Sequence, residues 1–252
     1  MNQSDRLIQL GDLSAALMLL SRLPLPAVPD RAPSRGARTA WGWPLVGLGL
    51  ALIAAAVAWV ARGLGVPPEI AALLALATLV VLTGALHEDG LADVADGFWG
   101  GQTRARRLEI MRDSRVGSYG VLALVLALAL RGAALIALAD HLTVALLAAA
   151  ATSRAAMAYV METLPPARRD GLSQATGRPG LQATQAAVAL AALAALIFAG
   201  WAGLAALVAA AIACVLCANL ALAKIGGQTG DVLGATQQIT EITVLIALSA
   251  AL

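Results

Sequence analysis

Runs of alanine, leucine and valine long enough to cross a bilayer recur along this chain, and they restrict its fold more than any other feature. Seven stand out, at about 44–61, 68–86, 117–138, 142–160, 183–199, 201–223 and 232–252. A span needs roughly 20 mostly apolar residues at 1.5 Å rise each. Backbone in hydrocarbon has to satisfy its hydrogen bonds within its own segment, so such runs are helices. The strict alternation that marks barrel strands is absent. Composition agrees: 60% of residues are hydrophobic and 13% charged, where a soluble domain carries about 25% charged residues. The expected fold is all-α, a polytopic membrane helix bundle of about seven transmembrane helices. The closely spaced pair after Thr184 has the alternative of bending as a hairpin around Gly200 and Gly203.

The chain reads as a single integral membrane domain over 1–252, with a cytoplasmic amphipathic segment at 1–40 and the bundle at 41–252. Met1 to Arg22 places Asp5, Arg6, Asp12 and Arg22 around Leu7, Leu10, Leu13 and Leu17, a pattern for an interfacial helix. It has neither the apolar core nor the cleavage site of a signal peptide. Pro24, Pro26, Pro29 and Pro33 mark an irregular link to the first span. Trp41, Trp43 and Trp59 read as interfacial belt residues. With the N-terminus in the cytoplasm and seven alternating spans, 15 of the 17 basic residues fall on the cytoplasmic side, and Arg62 and Arg131 fall opposite. The positive-inside rule is met, which places every polar loop of any length in the cytoplasm. The net charge of +2 gives no reason to invoke nucleic acid. Cys214 and Cys217, in one apolar run, read as small packed hydrophobes rather than a metal pair.

The chemistry concentrates in three segments. Six of the 15 acidic residues lie between Glu88 and Asp113, tightest in HEDGLADVADG. Asp89, Asp93 and Asp96, at i, i+4 and i+7, share one helix face. Carboxylates crowded at a membrane boundary need a positive partner, and hard oxygen donors suit Mg²⁺ or Mn²⁺ with water and substrate phosphate. Gly90 and Gly97 allow close approach beside the acids. His87, Glu88 and Asp96 are candidate catalytic groups. Downstream, Arg112, Asp113, Ser114 and Arg115 are candidates to bind phosphate, since guanidinium forks match its geometry. The third segment, GGQTGDVLGATQQITE, offers Gly227, Gln228 and Thr229 in a turn that opens a helix, where free N–H groups favour anions. Its Asp231 is a further candidate metal ligand. Gln237, Gln238 and Glu241 are polar groups inside an apolar run, which marks a bundle-interior role.

TGALHEDGLADVADGFWGG, RRLEIMRDSRVGSYGVLALVL and GGQTGDVLGATQQITE together resemble the cobalamin 5′-phosphate synthase family. SRLPLP, WGWPLVG and ARRDGLS support the likeness, which extends from Ser21 to Glu241 in the family's order. The resemblance implies a transferase that joins adenosylcobinamide-GDP to α-ribazole or its 5′-phosphate and releases GMP. It implies a divalent cation, usually Mg²⁺, on Asp89, Asp93 and Asp96 with Asp231 as a weaker ligand. It further implies the bacterial inner membrane, the lipid bilayer as setting, and a homo-oligomer or a complex with other late cobalamin enzymes as open alternatives. Two rival readings remain at this point. Asp93-x-x-Asp96-Gly97 resembles part of the CDP-alcohol phosphatidyltransferase signature, although Phe98, Trp99, Gly100 and Gly101 depart from its continuation. A cation-coupled transporter would also put acids in a bundle, but it predicts charged groups near mid-membrane.

Overall fold

The computed structural model describes residues 8–9, 11–24 and 33–252; Asp5, Arg6, Leu7, Leu10, Pro26 and Pro29 lie outside them. It is 82% helical, without strands among the described residues. Ten α-helices follow in order: α1 Asp12–Leu20, α2 Trp43–Gly63, α3 Pro68–Thr83, α4 Leu86–Gly100, α5 Arg104–Ile110, α6 Ser118–Ala137, α7 Leu142–Thr163, α8 Leu172–Thr176, α9 Leu181–Ile225 and α10 Gly230–Ala251. Short 3₁₀ segments, Pro33–Gly42 and Ala139–His141, lead into α2 and α7.

Among the described residues, five helical stretches are long and apolar enough to span: Arg35–Gly63, Ser118–Ala137, Ala139–Thr163, Leu181–Ile225 and Gly230–Ala251. A sixth is the pair α3 and α4, bent by 84°. The bend sits where Gly84 (φ 64°) and Ala85 (φ 56°) both adopt left-handed backbone, which ends one helix and redirects the next. The expected straight span at 68–86 is therefore corrected: α3 ends at Thr83, and the chain continues in α4 at 84° to it.

α9 is a hairpin. Its 45 residues would reach about 68 Å if straight, over twice a hydrocarbon core. At Gly200 the backbone leaves helical geometry (φ 54°, ψ −126°), a conformation open chiefly to glycine. A methyl on Gly203 would stand 2.4 Å from the Ala195 carbonyl oxygen, whereas residues eight apart in a straight helix are about 12 Å apart. Counting arms 181–199 and 201–225 separately raises six passes to seven, the number expected.

α7 and α10 form the centre. α7 packs on α9, α2 and α10, and α10 packs also on α4 and α6. The interface is built from alanines, with Ala145, Ala148, Ala149, Ala150, Ala151 and Ala158 buried on α7. Small side chains let helices approach closely where lipid supplies no hydrophobic drive. Large apolar side chains such as Trp201, Leu216 and Val208 point outward instead. Cys214 and Cys217 are free thiols within this packing, as expected.

The polar anchoring at one end differs from the sequence expectation. Asp12 is buried rather than solvated; it accepts a hydrogen bond from Trp41 Nε1 (2.9 Å) and pairs with Arg35 (2.9 Å). Trp41 and Trp43 are likewise buried, and only Trp59, 77% exposed, fits an interfacial belt. At the opposite end Arg62 faces Asp140 across 3.9 Å in an exposed pair.

Candidate active site

α4 carries the acids, and it is buried on nearly every side. His87, Glu88, Leu91, Val94, Asp96 and Phe98 are buried, while Asp89 is exposed and Asp93 half-buried. The helix lies against α10 backbone to backbone: a methyl on Gly90 would stand 2.8 Å from the Asp231 carbonyl oxygen. Gly90 thus has the close-approach role its position suggests, and it brings the start of α10 beside the acid face. Asp93 lies within electrostatic reach of Asp231, Asp89 and Asp96. Asp231 also interacts with Asp89, pairs with Arg168 Nη2 (3.1 Å) and accepts from Thr229 Oγ1 (3.1 Å).

Asp96 reaches the start of α6. Its Oδ2 accepts from the Gly117 N–H (2.7 Å) and its Oδ1 from the Gly120 N–H (2.9 Å), at the start of α6. A carboxylate there satisfies free donors and meets the positive end of the helix dipole. A methyl at Gly117 or Gly120 would strike the same carboxylate at 2.5 or 2.4 Å. Each oxygen accepts one hydrogen bond, so Asp96 anchors the start of α6.

Glu88 is engaged through Oε1, while its buried Oε2 has no partner. Arg131, 2% exposed in the middle of α6, donates to Glu88 Oε1 (2.7 Å), Glu241 Oε1 (2.7 Å) and Gln238 Oε1 (3.0 Å). Gln238 also donates to Glu88 (3.2 Å), and Gln237 donates to Glu241 Oε2 (2.5 Å) and Ser153 (3.2 Å). Arg154 of α7, fully enclosed, lies beside this network and donates to the Ala150 carbonyl (3.1 Å). Arg131 and Arg154 are thus bundle-interior groups, not the loop arginines that span alternation makes of them. The signal was present: an ionised group within an apolar run is a functional candidate by default. Glu241, Gln237 and Gln238 have the interior role expected of them.

The candidate phosphate groups separate into two sets. Arg112, Asp113, Ser114 and Arg115 are exposed. Arg112 pairs with Asp170, and Arg115 grips Asp113 with two nitrogens (2.6 and 3.0 Å). The guanidinium and backbone N–H of Arg115 hold the Asp113 carboxyl at about 2, below the usual carboxylate range. Gly227, Gln228 and Thr229 are not an open cradle. They are buried under the 165–174 loop, where Gln228 donates to Pro165 and accepts from Ala167 through its backbone (2.8 Å each). Ser173 donates to the Gln228 side chain (2.5 Å), and Thr229 Oγ1 caps α10 by accepting from Val232 N. Arg104 and Arg107 cap the C-terminal carbonyls of α9 at Ile225 and Lys224, as cations do at a helix end.

Arg168, missed as a site residue, therefore joins Asp231, Asp93 and Asp89 at the mouth of the bundle. Among the described residues no three or more His, Cys, Asp or Glu side chains converge tightly enough to hold a metal alone. The exposed acids still suit a magnesium-like ion, which takes one or two carboxylates and completes its shell with water and substrate phosphate.

A profile of the cobalamin-5-phosphate synthase family matches residues 12–249. The chain belongs to that family. A protein of Azorhizobium caulinodans is 48% identical over 94% of this chain and 94% of its own length. Proteins of Bradyrhizobium diazoefficiens and Mesorhizobium japonicum are each 45% identical over 96% of this chain and 94% of theirs. All three are named adenosylcobinamide-GDP ribazoletransferase. No solved structure matches the chain. This match favours the synthase reading of the acid motif over the phosphatidyltransferase and transporter readings.

Proposed function

We propose that this protein joins adenosylcobinamide-GDP to α-ribazole or its 5′-phosphate, giving adenosylcobalamin or its 5′-phosphate with release of GMP. The family match across nearly the whole chain carries the reading. The ribazole hydroxyl attacks the phosphorus that bears the cobinamide, and the bond from that phosphorus to the GMP oxygen breaks. The hydroxyl proton passes to a carboxylate of the exposed face; Asp96 is held by the N–H groups of α6, and Glu88 lies buried against Arg131.

One or two of Asp89, Asp93 and Asp231 would hold Mg²⁺, or Mn²⁺ in its place, with water and substrate phosphate completing the shell. Such an ion supplies charge neutralisation for a diphosphate. Arg168 supports the same assignment: its Nη1 is a buried donor without a partner, suited to a phosphate oxygen. Exposed Arg112 and Arg115 extend the positive surface alongside. We place this face and the N-terminus in the cytoplasm, with the protein in the bacterial inner membrane. The loop arginines support that orientation.

The test is turnover by purified protein in detergent with lipid, supplied with adenosylcobinamide-GDP, α-ribazole 5′-phosphate and Mg²⁺, and followed by chromatography of GMP and corrinoid. Product that vanishes with chelator supports both reaction and cation. Well-folded protein that yields no product would sink the assignment.

A further inference from the structure

A cavity of about 140 Å³ lies beneath the acid face, between α1, the start of α2, α4, α7 and the start of α10. Its floor is apolar, built by Leu20, Leu86, Met157, Met161 and Leu233. Polar side chains complete the lining: Trp43, His87, Arg168, Ser173, Thr176 and Asp231. Trp43 Nε1, both ring nitrogens of His87 and Arg168 Nη1 are buried and have no hydrogen-bond partner. His87 itself is only 2% exposed. Buried polar groups are almost always bonded, so three such side chains on one cavity point to a polar ligand atom there. The exposed or partly exposed lining residues, Leu172, Arg168 and Asp231, mark the mouth, which therefore opens beside the candidate catalytic acids.

Size and donor balance narrow the occupant. An apolar cavity of about 150 Å³ admits a benzene ring, so this one holds about one six-membered ring, with the rest of a larger base seated in its mouth, and is far too small for a corrinoid. Trp43 and Arg168 can only donate. Asp231 Oδ2, at the mouth, accepts from Arg168 and Thr229. A benzimidazole joined to ribose has one free ring nitrogen, which only accepts, and an otherwise apolar edge. We propose that this cavity receives the benzimidazole base of ribazole, with Trp43 Nε1 donating to the free ring nitrogen and the methylated edge against Met157 and Met161. The ribose then leads out past Asp231, and Arg168 meets a 5′-phosphate where one is present. This assignment rests on the reaction proposed above and adds the part of the chain that selects the base.

Two variants and one binding measurement test it. Met161→Trp fills the floor and should raise KM for ribazole about tenfold or more, since pockets discriminate by single methylenes at about 10- to 200-fold. KM for adenosylcobinamide-GDP should stay unchanged, and the nucleoside of unmethylated benzimidazole should lose less. Trp43→Phe keeps the ring but removes the N–H, and should raise KM for ribazole about three- to tenfold, the worth of one hydrogen bond. Without any variant, calorimetry on wild-type protein in nanodiscs should detect free 5,6-dimethylbenzimidazole binding and no guanosine binding. That measurement decides the matter even where Met161→Trp fails to fold. Wild-type turnover with ribazole KM unmoved by both variants overturns the cavity assignment alone, as does guanosine binding in place of the benzimidazole. Absence of wild-type turnover overturns the reaction instead, and the calorimetry still reads the cavity.

Discussion

Replacing Arg131 with methionine should destabilise the bundle more than any other single change at these helix contacts. Arg131 joins α6 to Glu88 on α4 and Glu241 on α10, all three side chains at most 8% exposed. With Arg154 beside them, two positive groups face two carboxylates, and the interior is balanced. Methionine fills much of the volume but leaves both carboxylates without their main partner. Neutral hydrogen bonds between membrane helices contribute only about 0.6 kcal/mol each, so the loss of Gln238 as partner matters little. Removing one member of a buried ion pair costs about 3–5 kcal/mol, because the remaining charge stays desolvated. At about 2–4 °C per kcal/mol for a chain near this size, the melting midpoint in detergent should fall by roughly 6–20 °C. Arg131→Met with Glu241→Gln restores the balance and should recover at least half of that loss. A single variant that melts within about 2 °C of wild type, or a double variant no better than the single, would refute the argument.

Four further outcomes are expected. Asp93→Asn should abolish most turnover with little change in melting, whereas Asp96→Ala should also lower stability by about 1–2 kcal/mol through loss of the α6 cap; equal melting of the two would contradict the division of roles. Gly90→Ala forces a methyl against the Asp231 carbonyl and should cost about 1–3 kcal/mol by overpacking, while Gly100→Ala, whose nearest neighbour is Ile110 Cδ1 at 3.7 Å, should melt no lower than wild type. Gly200→Ala meets no atom within 4 Å, so its cost, about 1–3 kcal/mol, comes from backbone strain alone and reads out as hairpin instability in limited proteolysis. The Asp113–Arg115 contact depresses the carboxyl to about 2, so it persists above the ordinary carboxylate range and is lost only as pH falls through that value. Asp113→Asn should therefore leave the dependence of melting on pH between about pH 5 and 9 the same as in wild type, and a new slope in that window would disprove the reading.

The helices were legible because apolar run length is a strong signal in a bilayer, and even the hairpin showed itself through Gly200 and Gly203. The bend at Gly84 was hidden, since Ala85 adopts positive φ without any residue type that announces it. Span alternation misplaced Arg131 and Arg154 because it counts charge near an apolar run as loop charge, and nothing local reports an interior partner more than 40 residues away. Removing both from the tally leaves Arg62 alone on the opposite side, so the orientation argument gains from the correction. The acid motif was legible as a helix face, but its division into anchors and open groups was not, because that depends on where α6 and α10 come to lie.

That division follows from the neighbours of α4 rather than from its own spacing. Glu88 meets Arg131 deep in α6, and Asp96 meets the free N–H groups where α6 begins, so two acids of the motif pin α4 to α6 at two levels. The acids between them, Asp89 and Asp93, are held by that pinning on the side that faces Asp231 and Arg168. Carboxylates that repel one another would otherwise relax by moving apart or by taking up protons. Here the movement is opposed by a buried ion pair, a helix cap and a glycine contact with α10. On the function proposed above, a cation and a phosphate-bearing substrate would relieve that repulsion, and the cost of holding the acids together is met inside the bundle, out of reach of both.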